Sequence, residues 1–328
     1  MKKIIFYVLI SVCGFTAIAQ QSALIKLSQP GSGSVSYIFA TSHHKNIIQY
    51  DIENALEKII QNVNAITFDW LQDDIQRQKM FEIMQFKGDD NVKKIYKRED
   101  NIRYELMVMD KLKSDVENYA HTQPLYTTQL FRNLDHAGGI DFQNNIIFQL
   151  ALNESKPVLS ILSVRQMEEI IYLMDFETQA AVLSNYVNNA EKFTGTDDEN
   201  LKHYLNGNLD AIAQNIIAVQ YAAYLNITEN KKSEIVLNKI MTTATQQSIL
   251  FVIDAGLLGG NNGILKKLSD AGFIYEPLNI KMLKNGMTEN ENAEVPEVSA
   301  DNFPVLQITE PAIQNATVII RTDTMKAF

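Results

Sequence analysis

Short β-branched and aromatic runs alternate along the chain with longer stretches whose apolar residues recur every three or four positions. That alternation predicts an α/β protein, with a central mixed sheet flanked by helices. The compact apolar runs predict strands over 35–41, 65–71, 157–162, 249–254 and 273–277. Helical spacing predicts helices over 52–62, 73–86, 142–153, 164–173, 177–191, 209–225, 229–242 and 263–271. The stretch between the strands at 157–162 and 249–254 is almost wholly helical in pattern, which predicts a helical insertion capping the sheet.

The two ends read differently. Lys2 and Lys3 precede an apolar run from Ile4 to Phe15, and Ala17-Ile18-Ala19 precedes Gln20. A basic region, a short apolar core and an A-x-A site predict a signal peptide over 1–19 and a periplasmic or extracellular protein. The run is too short for a permanent span, and no later stretch approaches ~18 uninterrupted apolar residues. The α/β domain is expected over 20–283. After Leu283 the chain turns rich in Asn, Glu, Pro and small residues, so 284–302 reads as a linker. Residues 303–328 read as a short β-rich tail with strands at 304–309 and 316–321.

Composition narrows the chemistry. With 328 residues, 46% hydrophobic and 21% charged, the chain is neither disordered, collagen-like nor a disulfide miniprotein. Its one cysteine, Cys13, lies in the expected leader, which leaves the mature chain without disulfides, thiol catalysis or Cys-ligated zinc. The formal charge of −10 becomes −12 on cleavage, because two lysines leave. An acidic protein lacks the basic face that a nucleic-acid partner requires. A peptide or small-molecule ligand is the partner expected.

Five pieces of the mature chain form a pattern. The first runs Ile25-Lys26-Leu27-Ser28-Gln29-Pro30-Gly31, then Ser36-Tyr37-Ile38-Phe39-Ala40-Thr41-Ser42-His43. A helix and the strand Asn64-Ala65-Ile66-Thr67-Phe68-Asp69 follow. Gly139-Ile140-Asp141 opens a helix running to Lys156-Pro157-Val158, and Tyr204-Leu205-Asn206-Gly207-Asn208-Leu209 marks a turn between helices. Residues 249–260 lead into Gly263-Ile264-Leu265-Lys266-Lys267-Leu268 and Ala271-Gly272-Phe273. In this order, the pieces resemble the motifs of the TraB/GumN family, which includes the TIKI metal-dependent peptidases. The resemblance implies two Gly-x-x-His signatures meeting around one cavity at the C-terminal edge of the sheet, with acidic residues nearby and a divalent metal as cofactor. Imidazole ligates such a metal, and a carboxylate completes its shell or acts as general base.

The sequence departs from that pattern at reactive positions. Ala40-Thr41-Ser42-His43 keeps the histidine but has Ala for Gly, whereas Asp254-Ala255-Gly256-Leu257 has leucine where the second histidine belongs. Leu162 stands at the family's acidic position, and Lys232-Ser233 stand where relatives carry Arg-Asn. Leucine neither ligates a metal nor moves a proton. The candidates that remain are His43 as metal ligand and Asp69 and Asp254 as catalytic carboxylates. Thr41, His44, Asp141, Gly256, Leu257 and Lys232 are the candidate pocket residues.

Plainer readings stand beside these. His43 and His44 are neighbours, so on an extended strand only one faces a pocket. His43 reads equally as a hydrogen-bonded strand-end histidine, and Asp69 equally as a cap on the following helix. Asp254 ends a very apolar strand, where a carboxylate without a partner is costly, so it reads as site-lining. Residues 259–263 read as a tight turn rather than an anion cradle. His121 and His136 read as loop residues, and His203 as exposed on a helix. Three functions follow: a TraB/GumN-fold protein that has lost catalysis but keeps a pocket, an active hydrolase with ligands rearranged around His43, Asp69 and Asp254, or an envelope interaction module.

Overall fold

Gln29-Pro30-Gly31 reverses the chain near its start: Ser32 N–H donates to Gln29 O at 3.1 Å, and Gly31 takes φ +88°. The turn lets β1 (Leu24–Ser28) pair antiparallel with β2 (Val35–Thr41). This is a computed structural model, which describes residues 22–71, 74–87, 91–95, 98–135 and 139–279. The expected leader, linker and β-rich tail lie outside the described residues, as does His136.

From β2 the chain passes through α1 (Glu53–Asn62) to β3 (Ala65–Phe68). Helices α2 (Asp74–Ile83), α3 (Arg98–Met107), α4 (Pro124–Asp135) and α5 (Gly139–Asn153) precede β4 (Val158–Ser160). Then come α6 (Val164–Ile171), α7 (Phe176–Asn188), α8 (Ala190–Leu205), α9 (Leu209–Val219), the single turn α10 (Ala222–Tyr224) and α11 (Asn230–Thr243). Strand β5 (Ile249–Asp254), α12 (Ala255–Leu258), α13 (Ile264–Asp270) and β6 (Ile274–Leu278) complete it.

The sheet is mixed and ordered β4-β3-β5-β2-β1-β6. Strands β4, β3, β5 and β2 are parallel neighbours, and β1 runs antiparallel to both β2 and β6. Strand β5 is near the centre because it is apolar on both faces. Ile249 to Ile253 are all at most 1% exposed, as a strand covered by helices on each side requires. One apolar cluster joins this sheet to α1, α5, α9, α12 and α13. Two further clusters pack the helices outside this core, one around Met80, Met84, Leu125 and Met167, the other around Phe131, Tyr186 and Phe193. They draw on the β3–β4 connection as well as on the insertion expected between β4 and β5.

Several elements escape the sequence pattern in whole or in part, the four-residue α12 among them. Strand β1 is only five residues and carries a lysine, Lys26, in the middle. Helix α3 holds few apolar residues, and α4 opens on Pro124 at its first position, where the missing N–H costs nothing. Helix α8 contains Gly195 flanked by Thr194 and Thr196, a local composition that favours loops. The threonine hydroxyls donate back to Ala190 O and Lys192 O, which absorbs them into the helix. The single helix expected over 209–225 is interrupted after Val219, where Gln220 turns extended.

Candidate functional site

Three adjacent parallel strands end together. Thr41, the last residue of β2, stands in register with Asp254, the last of β5. Beyond the end of β3, Asp69 N–H still donates to Val252 O at 2.9 Å. The C-terminal edge of the sheet therefore presents Asp69, Asp254 and, two residues past β2, His43.

There they form one hydrogen-bonded group. His43 Nε2–H donates to Asp254 Oδ2 at 2.6 Å. Asp254 Oδ1 accepts the Gly256 N–H at 2.7 Å and so caps the short helix α12. Asp69 Oδ1 accepts the Trp70 N–H at 2.7 Å, and its Oδ2 accepts the Asp254 N–H at 3.2 Å. Asp69 thus stitches β3 to β5. The side chains of His43 and Asp254 are 33% and 32% exposed, so the pair can be reached from solvent. His43 Nδ1 is buried and has no hydrogen-bond partner among the described residues.

The charges reinforce the pairing. Burial pulls the His43 imidazole down, but the adjacent Asp254 carboxylate outweighs it by charge and hydrogen bond, and the net shift is upward. Burial pushes Asp254 up, yet His43, the Gly256 N–H and Lys232 bring it well below the usual carboxylate range. Both shifts favour the ion pair. Asp69 goes the other way: burial and the Asp254 charge push it up to about 6, against the restraint of its two N–H donors. On α8, burial also pushes Asp197 up to about 6, and Arg132 and His43 act against it.

The remaining candidates take varied places. Thr41 is buried at the end of β2. His44 is buried too. Its Nδ1 accepts the Asn46 N–H at 3.0 Å, so the proton sits on Nε2, which donates to Asp198 Oδ1 at 2.9 Å. At Gly256 a Cβ would lie 2.5 Å from Ile216 Cδ1, so a side chain there requires the tip of Ile216 to shift. Leu257 is 6% exposed and packs in the main apolar cluster, whereas Leu162, 2% exposed, packs with Met80 and Met167. Lys232 pairs with Glu229 at 3.3 Å; burial pulls it down, but Glu229, Tyr224 and Asp254 raise it overall. The Asp141 side chain lies outside the described residues. Sequence reasoning named neither Gln143 nor Tyr204 as a site residue, although Tyr204 opens the turn motif at 204–209; both are buried and hydrogen-bonded to the segment that carries His43.

Topology also points to this edge. The connection leaving β3 runs toward β4 at one end of the sheet, and that leaving β5 runs toward β6 at the other. Open α/β sheets bind ligands where adjacent connections diverge in this way, beyond the carboxyl ends of the strands. The chain matches the TraB/PrgY/gumN family over residues 23–277. It belongs to that family. No curated protein and no solved structure matches it.

Membership of the TraB/PrgY/gumN family raises the question of a metal, and among the described residues the donors fall short of a three-ligand site. Each of the four carboxylate oxygens of Asp69 and Asp254 accepts a hydrogen bond and keeps one lone pair, but they are grouped with a single imidazole, that of His43. Leu257 occupies the second histidine position inside the core. Among the described residues, no three His, Cys, Asp or Glu side chains are grouped so as to hold a metal ion. A catalytic zinc needs three protein ligands and an open position, and this donor set does not fit one. Among the described residues, no helix is long and apolar enough to cross a membrane.

Proposed function

We propose that this chain is an exported TraB/PrgY/gumN protein that has lost metal-dependent peptidase chemistry and keeps the cleft at His43, Asp69 and Asp254 to bind a peptide or small molecule. The observation that carries the proposal is Leu257, which stands where the resemblance expects the second histidine and is packed in the main apolar cluster. His43, left from the family signature, pairs through Nε2 with Asp254, and no second imidazole joins this pair among the described residues. Leu162, packed in another apolar cluster, supports the same reading. So does the partial exposure of the His43–Asp254 pair at the divergence between β3 and β5, which suits a ligand cleft. Export rests on the leader-like sequence of residues 1–19.

Metal stoichiometry of the purified mature protein tests the proposal. Zinc, manganese and cobalt should remain well below one ion per chain in the wild type and unchanged in His43→Ala. One tightly held ion per chain, lost in His43→Ala and accompanied by peptide hydrolysis, would establish an active hydrolase with rearranged ligands instead.

A further inference from the structure

Backbone groups just before His43 are held by a buried polar relay. Gln143, on α5 and fully buried, accepts the Ser42 N–H at its Oε1 at 2.7 Å. Its Nε2 donates to the Tyr204 hydroxyl at 3.2 Å, and that hydroxyl donates to Ala40 O at 2.8 Å. Tyr204, on α8, is 1% exposed. The relay thus fixes one backbone group on each side of Thr41. Ser42 lies beyond the end of β2, where the sheet supplies no acceptor for its N–H. Helix α8 also provides Asp198, whose Oδ1 accepts a hydrogen bond from His44 Nε2–H. The segment is therefore tied down both before and after His43.

Packing alone does not call for these residues. A buried glutamine carries four hydrogen-bonding sites into the core, and an apolar side chain of similar size would fill the space without that cost. The polar atoms act on the exit of β2, which sets the origin of the His43 side chain. We propose that Gln143 and Tyr204 are positioning residues for His43, working as one unit that aims its imidazole at Asp254. The inference rests on the reading of the His43 cleft as the functional site, but its test requires no ligand.

The readout is the imidazole Nε2–H resonance of His43 in protein carrying 15N-labelled histidine, assigned by its loss in His43→Ala. Its solvent-exchange rate would be compared in the wild type, Gln143→Leu, Tyr204→Phe and the double variant. Each single variant should exchange this proton roughly tenfold faster, the equivalent of one hydrogen bond's net contribution. The double variant should go no further, because both changes break the same unit. Wild-type exchange in folded single variants would overturn the proposal, and additive effects in the double variant would overturn the single unit. Tyr204→Phe keeps the ring and its packing, so it decides the matter alone if Gln143→Leu does not fold. Failure of the binding proposal would appear in the metal and hydrolysis measurements and leave these exchange rates unaltered.

Discussion

Asp69→Asn should reverse its effect on stability between mildly acidic and mildly basic solution. In the folded chain Asp69 titrates at about 6, against an ordinary value of 3.8. The folded carboxyl therefore holds its proton more tightly than the unfolded one, and ionisation opposes folding. This opposition is absent below about pH 4, grows through roughly pH 4–6 and is complete above, where it reaches about 3 kcal/mol. Asparagine does not ionise and removes that cost. It also has one acceptor oxygen where the carboxylate has two, so the N–H of Trp70 or of Asp254 loses its partner. That loss costs about 1–1.5 kcal/mol at every pH. The balance makes Asp69→Asn less stable by up to about 1 kcal/mol near pH 4 and more stable by about 1.5 kcal/mol near pH 8, with a crossing near pH 5. Urea midpoints of both proteins across this range, at constant ionic strength, measure it. A stability difference of one sign, constant from acid to base, would refute the reasoning, since it would mean that Asp69 carries no raised titration in the fold.

Other substitutions probe the surroundings. Leu257→His restores the residue that the family resemblance expects, and it should cost about 3–5 kcal/mol through lost apolar burial and an unpartnered imidazole. Chemical denaturation and metal analysis check this, and near-native stability together with one bound ion per chain would show that the position faces a site. Gly259→Ala sets a Cβ 2.1 Å from Leu209 O and 2.7 Å from Asp210 N, both rigid backbone atoms of the α9 start. The displacement should cost about 2 kcal/mol and lower the melting temperature by roughly 4–8 °C, whereas an unchanged melt would mean that the two segments part freely. On α8, Gly195→Ala meets nothing within 4 Å and should raise stability by about 0.5–1 kcal/mol, and a loss there would contradict the helical assignment.

Elements whose local pattern agrees with their burial were legible in the chain. Strand β5 reads as a buried strand because Ile249-Leu250-Phe251-Val252-Ile253 has no polar face to offer, and the fold indeed covers it on both sides. Helix α8 was legible only at its end, where His203 reads as helical; its first part was not, because its threonines and Gly195 favour loops and only long-range packing of Phe193 and Tyr204 overrides them. The site shows the same division. His43, Asp69 and Asp254 stood out through a family pattern, but their mutual geometry comes from the register of Thr41 on Asp254, between positions far apart in the chain. Gln143 left no trace in the sequence, and Tyr204 showed only as the first residue of a turn motif, not as a site residue. They are 61 residues apart, and neither has a polar partner until the sheet and both helices are assembled.

The place of β5 bears on how the protein acquires its structure. It separates β2 from β3, and it is joined to the start of the first across 213 positions and to the start of the second across 184. Until the ribosome has delivered residues 249–254, β2 and β3 have no strand between them, and their apolar edges have nothing native to join. A chain of such high contact order should fold slowly, accumulate intermediates and depend on holding factors while it is incomplete. Truncation before residue 249 should leave an aggregating fragment rather than a smaller working domain.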